Sequence, residues 1–204
     1  MKKIKYSNNN MFDDLLSNYS EIFDINNIQD VFVISDTHFN HIDRVTGEDR
    51  IARYCGRPID WKEQVINNWN RLATKDDIVL HLGDFAFGSK EEVYNIRKQL
   101  NGKIYLLKGN HDRHSVGWFN DVGITLIKKP FVVKSEHFPI LFSHAVKPCL
   151  SKVLGINGHQ HEKIPFITNK FDNYHINISV EQIHYTPIRF RDLYESLLLL
   201  HYIV

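Results

Sequence analysis

Short runs of Val, Ile and Leu recur along this chain, and five of them end directly at residues that can bind a metal ion. Such runs are typical of strands buried within a sheet. In open α/β sheets, ligands bind outside the carboxyl ends of the strands. We therefore expect the carboxylate and imidazole groups that follow the runs to gather along one edge of one sheet. The runs cover residues 31–35, 78–82, 104–107, 140–143 and 153–156.

Each run leads into a short polar motif that supplies candidate metal ligands. In chain order the motifs are DxH (Asp36, His38), GD (Asp84), GNHD (Asn110, His111, Asp112), a single His144 and GHxH (His159, His161). Carboxylate oxygens and neutral imidazole nitrogens are ligands that suit Mn, Fe, Zn or Ni. On an extended segment His159 and His161 would lie on the same face, because they are two residues apart. Two neighbouring metals could then take one imidazole each.

Composition limits the class of protein but does not identify it. The chain has 204 residues, 43% of them apolar, and a net charge of +1, which indicates one globular domain with no overall preference for a polyanion. The two cysteines, Cys55 and Cys149, lack the spacing of a metal or redox motif, so we expect reduced thiols. No signal-peptide pattern or membrane span is recognised, and we expect a soluble, cytoplasmic protein with no membrane partner.

The chain is predicted to divide into an appended segment, residues 1–29, and one domain, residues 30–204. The first segment is rich in Asn, Asp and Ser and contains one short amphipathic helical pattern, at 12–19. Strand and helix patterns alternate over 30–108, which predicts parallel strands with helical crossovers. After Pro130 the pattern changes to that of a second sheet.

That second sheet is predicted to begin with a hairpin formed by residues 131–134 and 140–143. Residues 176–180 are another candidate strand. A closing helix is expected to begin between Thr186 and Asp192 and to direct Leu193 and Leu197 inward.

The five motifs, in this order and each after a predicted strand, resemble the calcineurin-like metallophosphoesterase superfamily. The resemblance covers about residues 30–190. It implies an α/β fold in which a two-sheet β-sandwich is flanked by helices in four αββα layers. Four further stretches resemble small microbial and phage members of the superfamily, namely residues 34–41, 54–58, 68–70 and 81–88.

The resemblance also implies a ligand set for two divalent transition metals, of which Mn is our first choice and Fe, Zn or Ni are alternatives. One metal would be bound by Asp36, His38 and His161, and the other by Asn110, His144 and His159. Asp84 would bridge them, because a carboxylate can offer one oxygen to each ion. The implied reaction is attack of a metal-bound hydroxide on phosphorus, with His111 as general acid.

The roles of the residues near these ligands stay open at this point. Asp112 could orient His111, which would give it a part in catalysis, or it could cap a following helix. Asn110, His111, His41 and Arg113 are candidates for contact with the substrate. His41 could equally be a solvated loop residue, and for Arg113 an exposed position without substrate contact is favoured. Arg57 could reach a phosphate or belong to a turn.

The sequence departs from the phosphoprotein phosphatases of the superfamily in one motif. Those enzymes extend GD to GDxxDR, whereas this chain has Phe87 and Gly88 in place of the second Asp and the Arg. A protein phosphatase is therefore not expected.

The interpretation favours a phosphodiesterase acting on a nucleotide or small phosphodiester. Alternatives are a phosphomonoesterase, a nuclease or end-processing enzyme on nucleic acid, and a non-catalytic scaffold of the same fold. The low net charge counts against nucleic acid. The intact ligand set counts against a scaffold. Oligomeric state stays open.

Overall fold

Two mixed β-sheets of five strands each form the centre of the protein. We describe it from a computed structural model that defines residues 25–135, 137–147, 153–170 and 173–199. The first sheet has the order β10-β1-β2-β3-β4. Its strands are β1 (Phe32–Ile34), β2 (Ile78–His81), β3 (Lys103–Leu107), β4 (Ile124–Ile127) and β10 (Ile188–Arg189).

The second sheet has the order β5-β6-β7-β9-β8. Its strands are β5 (Phe131–Lys134), β6 (Pro139–Phe142), β7 (Leu154–Asn157), β8 (Ile167–Lys170) and β9 (Asn173–Asn177). Strands β1 to β4 pair in parallel, as the alternation of strand and helix patterns predicts, and β5 and β6 form the predicted antiparallel hairpin. The predicted two-sheet α/β fold is therefore confirmed.

Helices accompany the sheets, and their sequences explain where they form. They are α1 (Ile25–Ile28), α2 (Arg50–Cys55), α3 (Trp61–Leu72), α4 (Lys90–Arg97), α5 (Val116–Asp121) and α6 (Phe190–Leu199). In α3, Trp61, Val65 and Trp69 are buried at four-residue spacing, which gives the helix one apolar face. A capping box between Ser89 and Glu92 starts α4.

The structure tests the predicted closing helix but leaves the predicted N-terminal segment, residues 1–29, largely untested. Helix α6 begins at Phe190, within the predicted interval, and it buries Leu193 and Leu197. Ile28 of α1 is fully buried in the core. Residues 1–24, including the predicted helix at 12–19, lie outside the described residues, so the division after residue 29 stays a prediction.

The expectation that all five motifs share one edge of one sheet is wrong in one respect, because two sheets contribute. Strands β1, β2 and β3 belong to the first sheet, whereas β6 and β7 belong to the second. The two edges meet because Ser35, after β1, forms a parallel bridge with Ser179, beyond β9. The backbone N–H of Val180 also donates to the carbonyl of Ser35 at 3.1 Å. This junction places the ends of both sheets side by side.

None of the helices in the described residues is both long enough and apolar enough to cross a membrane. The expected cytoplasmic location stays a prediction.

Phe142 provides a test of the core between the sheets. Its ring is fully buried and lies 5.0 Å from the ring of Phe131 and 5.8 Å from that of Phe190, measured between centroids. We expect Phe142→Ala to lower the free energy of unfolding by about 3–5 kcal/mol, because a cavity replaces the ring. Urea denaturation measures the change. Ile59→Ala, at a fully exposed position, is the control, and equal effects of the two substitutions would contradict the described packing.

Candidate metal centre

The loops that carry the candidate ligands have an unusual backbone conformation. Eight non-glycine residues of the described chain have positive φ, and five of these are predicted ligands. This left-handed conformation costs roughly 1–2 kcal/mol for each residue with a Cβ atom. Such strain persists only where the surrounding structure enforces it, and it concentrates at functional sites. The five residues are Asp36, His38, Asp84, His159 and His161.

Backbone hydrogen bonds hold the first two loops in register. The N–H of Asp36 donates to the carbonyl of Gly83, and the N–H of His38 donates to that of Asp84, each at 3.0 Å. The loops approach so closely that a Cβ atom on Gly83 would lie 2.8 Å from the Cα of Gly109. A Cβ atom on Gly158 would overlap the Asp36 carboxylate. The glycines of the GD and GHxH motifs therefore have a steric role.

The first group of donor atoms comes from Asp36, His38 and His161. Oδ1 of Asp36 lies 3.9 Å from Nε2 of His38 and 4.0 Å from Nε2 of His161. Oδ2 of Asp36 accepts hydrogen bonds from the N–H of His159 at 2.8 Å and from Oγ of Ser179 at 3.1 Å.

Several of these donor atoms lack the partners that burial normally requires. Within the described residues, Oδ1 of Asp36 and both ring nitrogens of His38 are buried without a hydrogen-bond partner. Buried polar atoms without partners are rare because their desolvation is not compensated. Burial acts to raise the pKa of Asp36, but the imidazoles of His38, His144 and His161 outweigh it and the pKa lies below its ordinary value. An ionised carboxylate beside unpaired imidazole nitrogens fits a bound cation.

The second group of donor atoms surrounds His144. Its Nε2 lies 2.9 Å from Oδ1 of Asn110, 3.1 Å from Nδ1 of His159 and 3.3 Å from Oδ2 of Asp84. Nδ1 of His144 lies 2.8 Å from the carbonyl oxygen of Leu82, to which it donates, and this leaves Nε2 directed at the group. Burial acts to lower the pKa of His144, but the carboxylates of Asp84 and Asp36 raise it to about 9. A metal would therefore displace a proton from this imidazole.

Asp84 lies between the two groups. Its Oδ2 is 3.5 Å from Nε2 of His38, in the first group, and 3.3 Å from Nε2 of His144, in the second. Its Oδ1 accepts a hydrogen bond from the N–H of His111 at 2.8 Å. Within each set, Asp36 with His38 and His161, and Asp84 with His144 and His159, the donor atoms lie within 4.8 Å of one another. The structure thus brings the predicted ligands together, and metal binding by them stays a prediction.

The two other predicted catalytic residues have different surroundings. His111 is half-buried at the cavity, with its ring centroid 5.4 Å from that of His38. Asp112 is buried and accepts hydrogen bonds from the backbone N–H groups of Asp84, Phe85 and Gly109, at 2.7, 3.2 and 2.9 Å. These contacts join the GD and GNHD loops, which favours a structural role for Asp112.

Two of the predicted substrate-contact residues, His41 and Arg113, also differ in their surroundings. His41 lines the cavity and stacks on Phe87 with centroids 4.1 Å apart and an interplanar angle of 5°. Burial and the neighbouring His38 and His111 lower the pKa of His41 to about 4, so its ring is neutral near pH 7. Arg113 is exposed, and its Nε donates to the carbonyl of Asn110 at 3.4 Å. It is not among the residues that line the cavity.

Sequence reasoning missed Glu181, which supports a candidate ligand. Oε1 of Glu181 lies 3.0 Å from Nδ1 of His161, which leaves Nε2 of that ring facing Asp36. Carboxylates in this position commonly fix the orientation of metal-binding histidines. Glu181 directly follows the predicted strand 176–180, so the rule that found the five motifs could also have found this residue.

Arg57 has a role that neither of its sequence interpretations described. The buried guanidinium donates to Oε1 of Glu181 at 2.8 and 2.6 Å, and to the carbonyls of Asp36 and Thr37 at 2.7 Å each. It therefore fixes the DxH loop and Glu181 relative to each other.

A cavity of about 460 Å³ opens beside the two groups. Its lining combines candidate ligands with basic and aromatic residues, which are His38, His41, Arg50, Ile51, Tyr54, Asp84, Asn110, His111, His159, Gln160, His161 and Lys163.

Comparison with known proteins identifies the family of the chain. The calcineurin-like phosphoesterase family model matches residues 4–202, and the chain belongs to this family. It is 31% identical over 172 residues to an uncharacterized protein of Methanocaldococcus jannaschii, a match that covers 78% of this chain and 85% of that protein.

Among solved structures, a protein of unknown function from Aquifex aeolicus matches with a TM-score of 0.59 and 22% identity. That match covers 81% of this chain and 98% of the other, and it shows a shared fold. A phosphoesterase from E. coli matches with a TM-score of 0.42 and 15% identity, over 72% of this chain and 77% of that chain.

Glu181→Gln tests the support of His161. We expect this variant to bind manganese roughly 10–100-fold more weakly, because the carboxylate no longer orients and polarises the imidazole. Equilibrium dialysis followed by elemental analysis measures the affinity. Glu63→Gln makes the same charge change at an exposed helical position and should leave the affinity unaltered. Equal affinities of wild type and Glu181→Gln would rule out this role.

Proposed function

We propose that the protein is a dinuclear metal-dependent hydrolase of phosphoester bonds, with a preference for phosphodiesters. The observation that carries the proposal is the position of Oδ2 of Asp84 between two sets of donor atoms, 3.5 Å from His38 and 3.3 Å from His144. A carboxylate shared in this way is the bridging element that two neighbouring metals require. The membership in the calcineurin-like phosphoesterase family supports the same reaction class.

The donor set fits two divalent transition metals. Asp36, His38 and His161 would hold one, Asn110, His144 and His159 the other, and Asp84 both. Oxygen and imidazole donors suit manganese, which stays our first choice, and also iron, zinc and nickel. When bound, such a pair of ions supplies activation of water and neutralisation of charge on the phosphate.

Residues of the chain itself would donate the proton and contact the phosphate. The imidazole of His111 lies at the cavity beside the donor atoms, where it can give a proton to the oxygen that leaves phosphorus. The hydrogen bond from its N–H to Oδ1 of Asp84 fixes the position of its loop. Asn110 and the neutral ring of His41 line the same cavity and are the proposed contacts to the phosphate. Arg113 could join them only if its exposed side chain turned toward the substrate.

Asp112 would act as a positioning residue. Its carboxylate joins the backbone of the loop that carries Asp84 to that of the loop that carries His111. The two loops then keep a fixed separation while the substrate binds.

The preference for diesters rests on the shape of the cavity. Its volume of about 460 Å³ lies in the range of sites for small organic ligands. Arg50, Tyr54 and Lys163 line it together with the candidate ligands, and they are the proposed contacts to the second ester group. A nucleotide or small phosphodiester, with organic groups on both sides of phosphorus, would use both parts of the cavity.

Turnover of model substrates tests the reaction. We expect manganese-loaded protein to hydrolyse bis-p-nitrophenyl phosphate faster than p-nitrophenyl phosphate, and a chelator to abolish both activities. His111→Ala should lower kcat by about 10²–10⁴-fold, because proton donation to the leaving oxygen is lost. Its metal content, measured by elemental analysis, should equal that of wild type.

The control for that experiment is His114→Ala, which removes a nearby exposed imidazole that does not line the cavity. It should keep wild-type kcat. Turnover that survives complete removal of metal would contradict the proposal, and faster turnover of the monoester would replace the diesterase with a monoesterase.

Binding to oligonucleotides separates the nuclease alternative. With a net charge of +1 the chain can neutralise few phosphates through its overall charge, so we expect weak binding that changes little with salt. Fluorescence anisotropy of labelled single- and double-stranded DNA across a salt series measures this. A steep decrease of affinity with salt, together with metal-dependent cleavage, would favour a nuclease or end-processing enzyme.

A further inference from the structure

A second cluster of possible metal ligands lies beside the candidate centre. It consists of Cys55 at the end of α2, Glu162 directly after His161, and Glu181, together with His161 itself. One donor atom from each of the four residues lies within 4.8 Å of the others. The thiol of Cys55 is partly buried and lies beside the carboxylate of Glu162. The first of these residues is far from the rest in sequence, so the fold alone brings the cluster together.

Glu181 carries an unused acceptor in this cluster. Its side chain is 6% exposed, and Oε1 is occupied by Arg57 and by His161. Its other oxygen, Oε2, is buried and has no hydrogen-bond partner within the described residues. A buried carboxylate oxygen without a partner is costly, and a cation bound next to it would remove the cost.

The charge of the cluster also favours a cation. Glu162 and Glu181 contribute two carboxylates, and the guanidinium of Arg57 is directed at Oε1 of Glu181. A thiolate at Cys55 would add another negative charge. The two carboxylate oxygens of Glu181 therefore differ. Oε1 faces Arg57 and His161, whereas Oε2 is available to bind a cation.

The donor types select the metal. Thiolate, imidazole and carboxylate are the ligands of zinc in proteins, and the thiolate of Cys55, a donor absent from the dinuclear centre, favours zinc over manganese. We propose that Cys55, Glu162 and Glu181, with His161 as the fourth donor, form a zinc site next to the dinuclear centre. On binding, the thiol of Cys55 and Nδ1 of His161 each lose a proton to solvent as the zinc–sulfur and zinc–nitrogen bonds form.

Zinc at this site would inhibit the phosphoesterase, a consequence that rests on the proposed function. Nδ1 of His161 lies 3.0 Å from Oε1 of Glu181, while its Nε2 faces Oδ1 of Asp36 at 4.0 Å. A zinc ion that engages Nδ1 replaces the hydrogen bond that orients this ring. The first group of the dinuclear centre then loses its ordinary geometry.

Cadmium is the probe for the site, because cadmium–thiolate bonds absorb in the ultraviolet. We expect titration of the manganese-loaded protein with Cd²⁺ to give a thiolate charge-transfer band that saturates at one ion per chain. The band should be absent in Cys55→Ser and unchanged in Cys149→Ser, the matched control for the other cysteine of the sequence. It should persist in His144→Ala, which alters the dinuclear centre but not this cluster.

Substitution of a carboxylate tests whether the residues of the cluster bind the metal together or the Cys55 thiol binds it alone. Glu162→Gln removes one negative donor without changing the proposed ligands of the dinuclear centre, and we expect it to weaken Cd²⁺ binding at least tenfold. Unchanged affinity in Glu162→Gln, a band lost in Cys149→Ser, or no band in the wild type would each overturn the site.

Inhibition is measured separately from binding. Zinc added to manganese-loaded protein should inhibit diester hydrolysis at a concentration at least tenfold lower in the wild type and Cys149→Ser than in Cys55→Ser. Equal inhibition of all three would overturn the inhibitory role. Absence of any metal-dependent turnover would refute the proposed function, while the cadmium titration would still decide the site.

Discussion

The contact between the two sheets at the end of β1 is the constraint on which the candidate centre depends. Val180 donates its backbone N–H to Ser35, while Asp36 accepts hydrogen bonds from the backbone of His159 and the hydroxyl of Ser179 through one carboxylate oxygen. That oxygen joins the sheets, and the other faces His38 and His161. A single side chain therefore fixes the second sheet against the first and directs an acceptor at the centre, which explains how ligands from both sheets reach one place.

The same arrangement stores unfavourable energy that a metal can offset. Five predicted ligands have left-handed backbones, and within the described residues Asp36 and His38 hold buried atoms without hydrogen-bond partners. Each feature costs free energy in the metal-free protein. A ligand that binds only the folded state stabilises it in proportion to its affinity and concentration. Binding of metal at the proposed centre would therefore be coupled to folding of the core, and the hydrogen bonds of Asp112 and Arg57 hold the loops in place.

The strands and the candidate ligands that follow them could be predicted from sequence, whereas the contact between the two sheets could not. Apolar runs that end in ligand-type residues predicted β1, β2, β3, β6 and β7, because strand periodicity and ligand chemistry are both local properties. The pairing of two sheet edges depends on the contact between Ser35 and Ser179, which no local pattern encodes. The role of Arg57 was missed for the same reason, whereas Glu181 follows a predicted strand and could have been found by the local rule. Cys55 was interpreted as an isolated thiol because its neighbours come from distant parts of the chain.

Phe87 shows how a change in one motif can alter the surroundings of the proposed general acid. Where phosphoprotein phosphatases carry an Asp, this ring stacks on His41 and lies 5.2 Å from the ring of His111. Aromatic packing restricts the orientation of an imidazole but adds no negative charge to raise its pKa. The pKa of His111 is lowered by burial, and Asp84 only partly counteracts this. A lower pKa leaves a smaller fraction of His111 protonated near pH 7, so proton donation by this ring would be favoured at a more acidic pH than donation by an imidazole paired with a carboxylate.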